Sequence, residues 1–232
     1  MAALVLASVY VFGSRLRSRL RYRGWVSIAG GVSVATVFVD LLPEISERQA
    51  MFSASVHSKA ALFPEQAIYL AALVGFVLFY GLQHFVAASA SAEGNSGVVF
   101  SLLRITAFAG YSGLIGYLLV HNVWKNDPSL LLYTLAMAFH LLLVDHSLSQ
   151  SAHEAYEARG RWILALAVLV GWCAGVVTAI PEQWLARIIG FVCGGVIMNT
   201  LVVELPEERG GRFWPFVFAA AAYALVLIVV LG

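Results

Sequence analysis

The stretch Gly30-Gly31-Val32-Ser33-Val34-Ala35-Thr36-Val37-Phe38-Val39-Asp40-Leu41-Leu42-Pro43-Glu44 opens on a glycine pair, runs apolar and closes on an acid followed by Leu-Leu-Pro-Glu. It recurs late in the chain as Gly194-Gly195-Val196, Thr200, Val203, Glu204, Leu205 and Pro206-Glu207, with one residue deleted before the proline. Each copy belongs to a block of about twenty apolar residues, enough to cross a roughly 30 Å hydrocarbon core as a helix. The composition agrees: of 232 residues, 61% are hydrophobic and 12% charged, against roughly 25% charged in a soluble domain. A water-soluble enzyme and a disordered chain are both excluded.

A net charge of +1 leaves no electrostatic footprint for nucleic acid. Solid Leu/Val/Ala blocks are unlike the alternating segments of a membrane barrel. The expected fold is therefore all-α, a polytopic helical membrane bundle forming a single transmembrane domain over residues 1–232. The two cysteines, Cys173 and Cys193, lie inside apolar blocks and offer neither a disulfide framework nor a CxxC metal site. They read as small packing residues.

Eight blocks can be drawn: Met1–Gly13, Gly24–Leu42, Gln66–Val86, Gly97–Val120, Ser129–Ser149, Arg161–Ile180, Trp184–Leu205 and Phe213–Leu231. The first covers only about 20 Å as a helix, so it spans by borrowing the stems of Arg15 and Arg17. Lys and Arg collect on the cytoplasmic side of short loops. With the N-terminus outside, the inner loops hold Arg15, Arg17, Arg19, Arg21, Arg23, Arg159, Arg161, Arg209 and Arg212, whereas the outer side holds Arg48, Lys59, Lys125 and Arg187. Eight helices with both termini outside satisfy this distribution.

In that topology the first copy of the repeated segment, around residues 24–44, runs inside to outside, and the second, around 184–207, runs outside to inside. Inverted repeats mark secondary transporters, whose substrate site lies at the repeat interface near the bilayer midplane. Chance similarity between Gly- and Val-rich membrane helices is the competing explanation, and the shared acid-Leu-Pro-Glu endings count against it.

Asp40, His84, Arg104, His140, Asp145 and Glu204 fall within or at the ends of the apolar blocks. A charge at the centre of a membrane helix costs about 2.5–3.5 kcal/mol on the gentlest scale, so such residues face partners or a water-filled path. Arg104 and Asp145 come out at similar inner depth, which permits an ion pair. Asp145 and His146 follow His140 by five and six residues, turns of about 140° and 240°, so these three cannot converge on one ion unaided. His153-Glu154 with Glu157 spells HExxE, not the HExxH of metalloproteases, and reads as a solvated face. Gly171 with Gly175 and Gly190 with Gly194 present flat faces for close helix contact. Pro43 and Pro206 are expected to end their helices, freeing carbonyls beside Asp40 and Glu204.

These residues resemble the ZIP family of zinc and iron transporters. The second helix matches through Gly30-Gly31 and Asp40-Leu41-Leu42-Pro43-Glu44, the seventh through Gly194-Gly195 and Glu204-Leu205-Pro206-Glu207. Eight helices with outer termini also resemble that family over nearly the full chain. The resemblance implies facilitated entry of a divalent metal, chiefly Zn²⁺, as cargo and not as a resident cofactor. Its candidate ligands here are His140, Asp145, Asp40, Glu204 and Glu44. The family's fourth-helix His-Asn-x-Pro-Glu-Gly motif has no counterpart, since that helix offers Arg104, Tyr111, Ser112 and glycines. On the fifth helix His140 falls where the family has its histidine, but Val144 stands four residues on and Asp145 is displaced by one. Either His140 and Asp145 hold the ion with Asp40 or Glu204, or the fold has a changed cargo or none.

Two other classes remain. Gly110-Tyr111-Ser112-Gly113 resembles the Gly-x-Ser-Gly motif of rhomboid intramembrane proteases, with Ser112 and His140 at comparable depth. Packing by small residues explains the same motif, and no enzymatic activity is expected. The last class is a sensor or scaffold that keeps a transporter fold without flux. The lipid bilayer and a divalent ion are the expected partners, and a homodimer is open.

Overall fold

The computed structural model describes residues 1–19, 24–43, 45–47, 66–89, 95–121, 127–151, 156–204 and 212–231. Among these residues the chain is all-helical. Helix α1 covers Ala2–Arg19; α2 covers Trp25–Thr36 and continues as a π-helical turn, Val37–Leu41. Next come α3 (Ala67–Ser89), α4 (Asn95–Leu118) and α5 (Asp127–Ser151). A second π-helical turn, Tyr156–Gly160, leads into α6 (Arg161–Val177), followed by α7 (Glu182–Glu204) and α8 (Phe213–Leu231).

Five segments are long and apolar enough to cross a membrane: Trp25–Glu47, Ala67–Phe85, Leu130–Gln150, Glu182–Leu201 and Phe213–Val230. Ala2–Gly13 and Arg161–Val177 are shorter apolar helices. In α4 the charge of Arg104, with glycines and tyrosines around it, dilutes the apolar character. Helix α1 continues through Arg15 and Arg17 to Arg19, so its apolar stretch and its basic end form one rod of about 27 Å.

Apolar residues cover the outside and polar residues sit within, the reverse of a water-soluble domain. Leu73, Val77, Leu103, Leu166, Phe218 and Val229 are exposed, whereas Arg104, Ser112, His140, Asp145, Asn199 and Thr200 are buried. Helix α8 is the extreme case: its spanning segment has a mean hydropathy of 2.4 and is only 11% buried.

Three helix pairs dominate the packing, α3 with α7, α4 with α6 and α2 with α8. Glycines explain their closeness, because the absence of a side chain lets backbones meet. On α7 the faces of Gly190 and Gly194 lie against the carbonyls of Ile68 and Ala72 on α3. On α6, Gly171 lies against Gly113 of α4 and Gly175 against Tyr117. Gly31 of α2 meets the Phe216 carbonyl of α8. Helix α2 also packs on α5 and α7, and α1 on α5 and α6. The glycine pairs expected to make close contacts do so. Of the two cysteines, Cys193 is buried as expected, whereas Cys173 is exposed on α6.

Pro43 does not end its helix, contrary to the expectation. Residues 45–47 are again helical, with Ile45 fully buried. The reason lies one turn earlier. Proline has no N–H to return to the carbonyl four residues back, and the π-helical turn widens the ladder ahead of it, with the Leu42 N–H reaching the Val37 carbonyl. The disruption is absorbed inside the helix, and Asp40 stands in the widened turn. Such π-bulges are frequent at functional sites. Pro206 lies outside the described residues.

Candidate functional site

Two groups of buried polar residues join helices, one around His140 and one around Asp145. His140 is fully buried on α5. Its Nε2 lies 3.0 Å from the Tyr111 hydroxyl of α4, which donates to the Val192 carbonyl of α7 at 3.3 Å. One tyrosine therefore ties α4, α5 and α7 together. Where its one proton goes to Val192, the hydroxyl accepts from His140 Nε2–H and the imidazole presents Nδ1 as a lone pair. That Nδ1 is buried and has no hydrogen-bond partner. Aromatic rings pack around the pair, Phe79 at 4.9 Å from the Tyr111 ring and Phe108 at 6.4 Å.

The neighbouring Ser112 turns away from His140. Its Oγ lies 2.8 Å from the Tyr10 hydroxyl of α1, with both residues fully buried. The Ser112–His140 couple that a protease would need is not formed.

Asp40 is half-buried in the π-helical turn of α2. It lies within electrostatic range of Tyr133 on α5, Cys193 on α7 and Tyr223 on α8. Tyr223 in turn donates to the Leu132 carbonyl at 2.6 Å. Asp40 thus belongs to the junction of α2, α5, α7 and α8.

Asp145 occupies the second group. Its carboxylate accepts a 2.5 Å bond from the Tyr156 hydroxyl in the turn before α6. A methyl group on Gly13 of α1 would overlap that carboxylate. Arg104 is 2% exposed; its Nη2 donates to Ser147 Oγ at 2.9 Å, and its guanidinium lies 5.8 Å from the Phe108 ring centre. Both buried charges therefore engage the same turn of α5. The five-residue offset separates His140 and Asp145 as helix geometry dictates, the first toward Tyr111 and the second toward Tyr156.

Neither a family model nor any curated protein matches this chain. The functional reading rests on the residues themselves.

Among the described residues no group of three or more His, Cys, Asp or Glu could hold a metal ion. Glu44 lies outside the described residues. Glu204 is the last residue of α7, and its side chain lies outside them too. His146 points away from the interior, accepting from Gln150 Nε2 at 2.8 Å with its ring edge on Trp25. His84 is exposed beside Tyr80 and Phe85. Glu157 pairs with Arg161 and accepts from Ser149 Oγ at 3.2 Å, a local structural network, while His153 and Glu154 lie outside the described residues.

Sequence reading passed over Tyr10, Tyr133, Tyr156 and Tyr223. A signal was present: membrane tyrosines gather in interfacial belts, so a tyrosine deep in an apolar block calls for a buried polar partner.

Proposed function

We propose that the protein is an integral membrane transporter of the ZIP-like kind that carries a divalent metal cation, Zn²⁺ foremost, toward the cytoplasm. The observation that carries the proposal is the open Nδ1 of the fully buried His140, inside a polar interior that also holds the Asp40 turn. Neutral imidazole and carboxylate both suit Zn²⁺. Asp40 toward the outer side and His140 nearer the middle are successive stops. Each offers few donors, and passage requires binding strong enough to admit an ion and weak enough to release it.

The exposed apolar surface supports the membrane location, with lipid as its natural solvent. The arginines of the α1 end and of residues 159–161 and 209–212 support outer termini. Helix pairing supports the inverted repeat. An exchange of α2 with α7 and of α8 with α3 turns the α2–α8 crossing into the α7–α3 crossing, and each is closed at one glycine of the repeated pair, the second of the pair at Gly31 and the first at Gly194. A cargo path between the copies then passes Asp40 and His140.

The test is ⁶⁵Zn²⁺ binding to the full chain in nanodiscs. Saturable binding lost in His140→Ala and Asp40→Asn supports the reading, and binding indifferent to both substitutions overturns it. A second reading is favoured by the lack of a three-donor group among the described residues. A sensor or scaffold on the same fold would bind an ion, or none, without moving it.

A further inference from the structure

The junction of Tyr111, His140 and Val192 is followed by a second polar tier on the same three helices. Seven residues turn a helix through about 700°, close to two full turns, and advance it by about 10 Å. Seven residues before Tyr111 on α4 stands Arg104, seven after His140 on α5 stands Ser147, and seven after Val192 on α7 stands Asn199. All three are buried. Helix α4 runs opposite to α5 and α7 in the eight-helix topology, so the three steps lead the same way, inward. The hydrogen bonds keep that register: Arg104 Nη2 donates to Ser147 Oγ at 2.9 Å, joining α4 to α5 two turns from the Tyr111–His140 contact. Asn199 donates back to the Gly195 carbonyl of its own helix at 2.8 Å, whereas the guanidinium reaches across to a neighbour. The Phe108 ring stands between the tiers, 6.4 Å from the Tyr111 ring and 5.8 Å from the Arg104 guanidinium.

A divalent cation leaving His140 along α4, α5 and α7 meets this positive charge next. Repulsion between the two is strong in a low-dielectric interior and little screened by salt. Arginine stays protonated inside proteins, so the barrier is not lifted by losing a proton. It is lifted by movement, since the long stem can carry the charged head toward cytoplasmic water. We infer that Arg104 is the inner gate of the cation path: bonded to Ser147 it closes the way inward from His140, and swung away from Ser147 it opens it. The inference rests on the transport reading above and adds to it the residue that regulates release. It also accounts for a fixed positive charge on a helix that borders the path.

Cys193 is a natural reporter of the gate, buried next to Val192 in the chain and within electrostatic range of Asp40, Tyr111 and Tyr133. The experiment follows its modification by a membrane-impermeant, cationic methanethiosulfonate in the full chain carrying Cys173→Ser, with the reagent added to one face of sealed membrane vesicles at a time. No metal ion enters the measurement. With Arg104 in place, Cys193 is expected to be protected from both faces. Arg104→Gln is expected to speed modification from the cytoplasmic face by about tenfold or more, part of the cost of a charge inside a membrane. Arg104→Lys, which keeps the charge, speeds it less. Ser147→Ala gives the same one-sided gain at a lower level, and it carries the test if Arg104→Gln does not fold. Unchanged protection of Cys193 in the folded variants overturns the inference. So does an equal gain from both faces, which makes Arg104 a structural clamp. A one-sided gain in a protein whose wild type moves no divalent ion keeps Arg104 as the closure of an inner cavity and fails the transport reading alone.

Discussion

The Tyr111 hydroxyl stands 3.0 Å from His140 Nε2 and 3.3 Å from the Val192 carbonyl. One oxygen thus joins α4, α5 and α7 at the centre of the bundle, and it fixes which imidazole nitrogen faces the interior. Removing it affects packing and the site together. Tyr111→Phe is expected to lower stability by about 1 kcal/mol, within the range of side-chain hydrogen bonds in membrane proteins. It should also weaken Zn²⁺ binding, because the imidazole loses the partner that holds its orientation. Unfolding in bicelles by detergent titration reads the first effect and ⁶⁵Zn²⁺ binding the second. An unchanged midpoint and affinity would contradict the arrangement.

Glycine positions make a contrasting pair. A methyl group on Gly194 would overlap the Ala72 carbonyl, whereas nothing lies within 4 Å of one placed on Gly110. Gly194→Ala is expected to cost about 1–3 kcal/mol through forced separation of α3 and α7. Gly110→Ala is expected to be neutral or stabilising by up to roughly 1 kcal/mol, as alanine replaces glycine inside a helix. The same unfolding assay distinguishes them, and equal losses would remove the close α3–α7 approach.

Gly13 and Tyr156 grip the Asp145 carboxylate from different helices. Gly13→Ala alone forces an overlap with a carboxylate that Tyr156 holds in place. In a Tyr156→Phe background the carboxylate loses that bond and turns aside more easily. The two substitutions are therefore expected to be less than additive, with a coupling of about 0.5 kcal/mol or more. Strict additivity in a double-mutant cycle would show that the three groups do not share a site.

The cysteines report the two environments. Cys193 is buried, within electrostatic range of Asp40, and Cys173 is exposed on α6. A lipid-soluble maleimide is expected to label one site per chain in the native protein and two after denaturation. The Cys173→Ser variant should lose the native labelling. Prompt native labelling of Cys193 would mean an interior open to solvent.

The sequence made the helices legible because apolar block length is a strong signal. Phe213–Leu231 matches α8 end to end, and Ser129–Ser149 differs from α5 by two residues at each end. The apolar pattern of the first block ends at Gly13, because Arg15 and Arg17 interrupt hydropathy but not the backbone ladder. Helix pairing was legible in part, through Gly171, Gly175, Gly190 and Gly194, because a flat face has few other uses. The wide turn at Val37–Leu41 was not, since hydropathy carries no record of ladder register, and Pro43 alone suggests a helix end. The site was half legible. Buried charge drew attention to Asp40, Arg104, His140 and Asp145, and helical offsets separated His140 from Asp145. The partners Tyr10, Tyr111 and Tyr156 depend on which helices meet, which pattern along one helix does not reveal.

The most direct measurement is ⁶⁵Zn²⁺ uptake into proteoliposomes holding the full chain, run beside Asp40→Ala, His140→Ala and the Gly110→Ala control. Uptake by the wild type and the control, with a loss of about tenfold or more in the other two, is the predicted result. Folded protein that moves no Zn²⁺, Cd²⁺, Mn²⁺ or Fe²⁺, or whose flux ignores both substitutions, would contradict transport through the His140 and Asp40 interior.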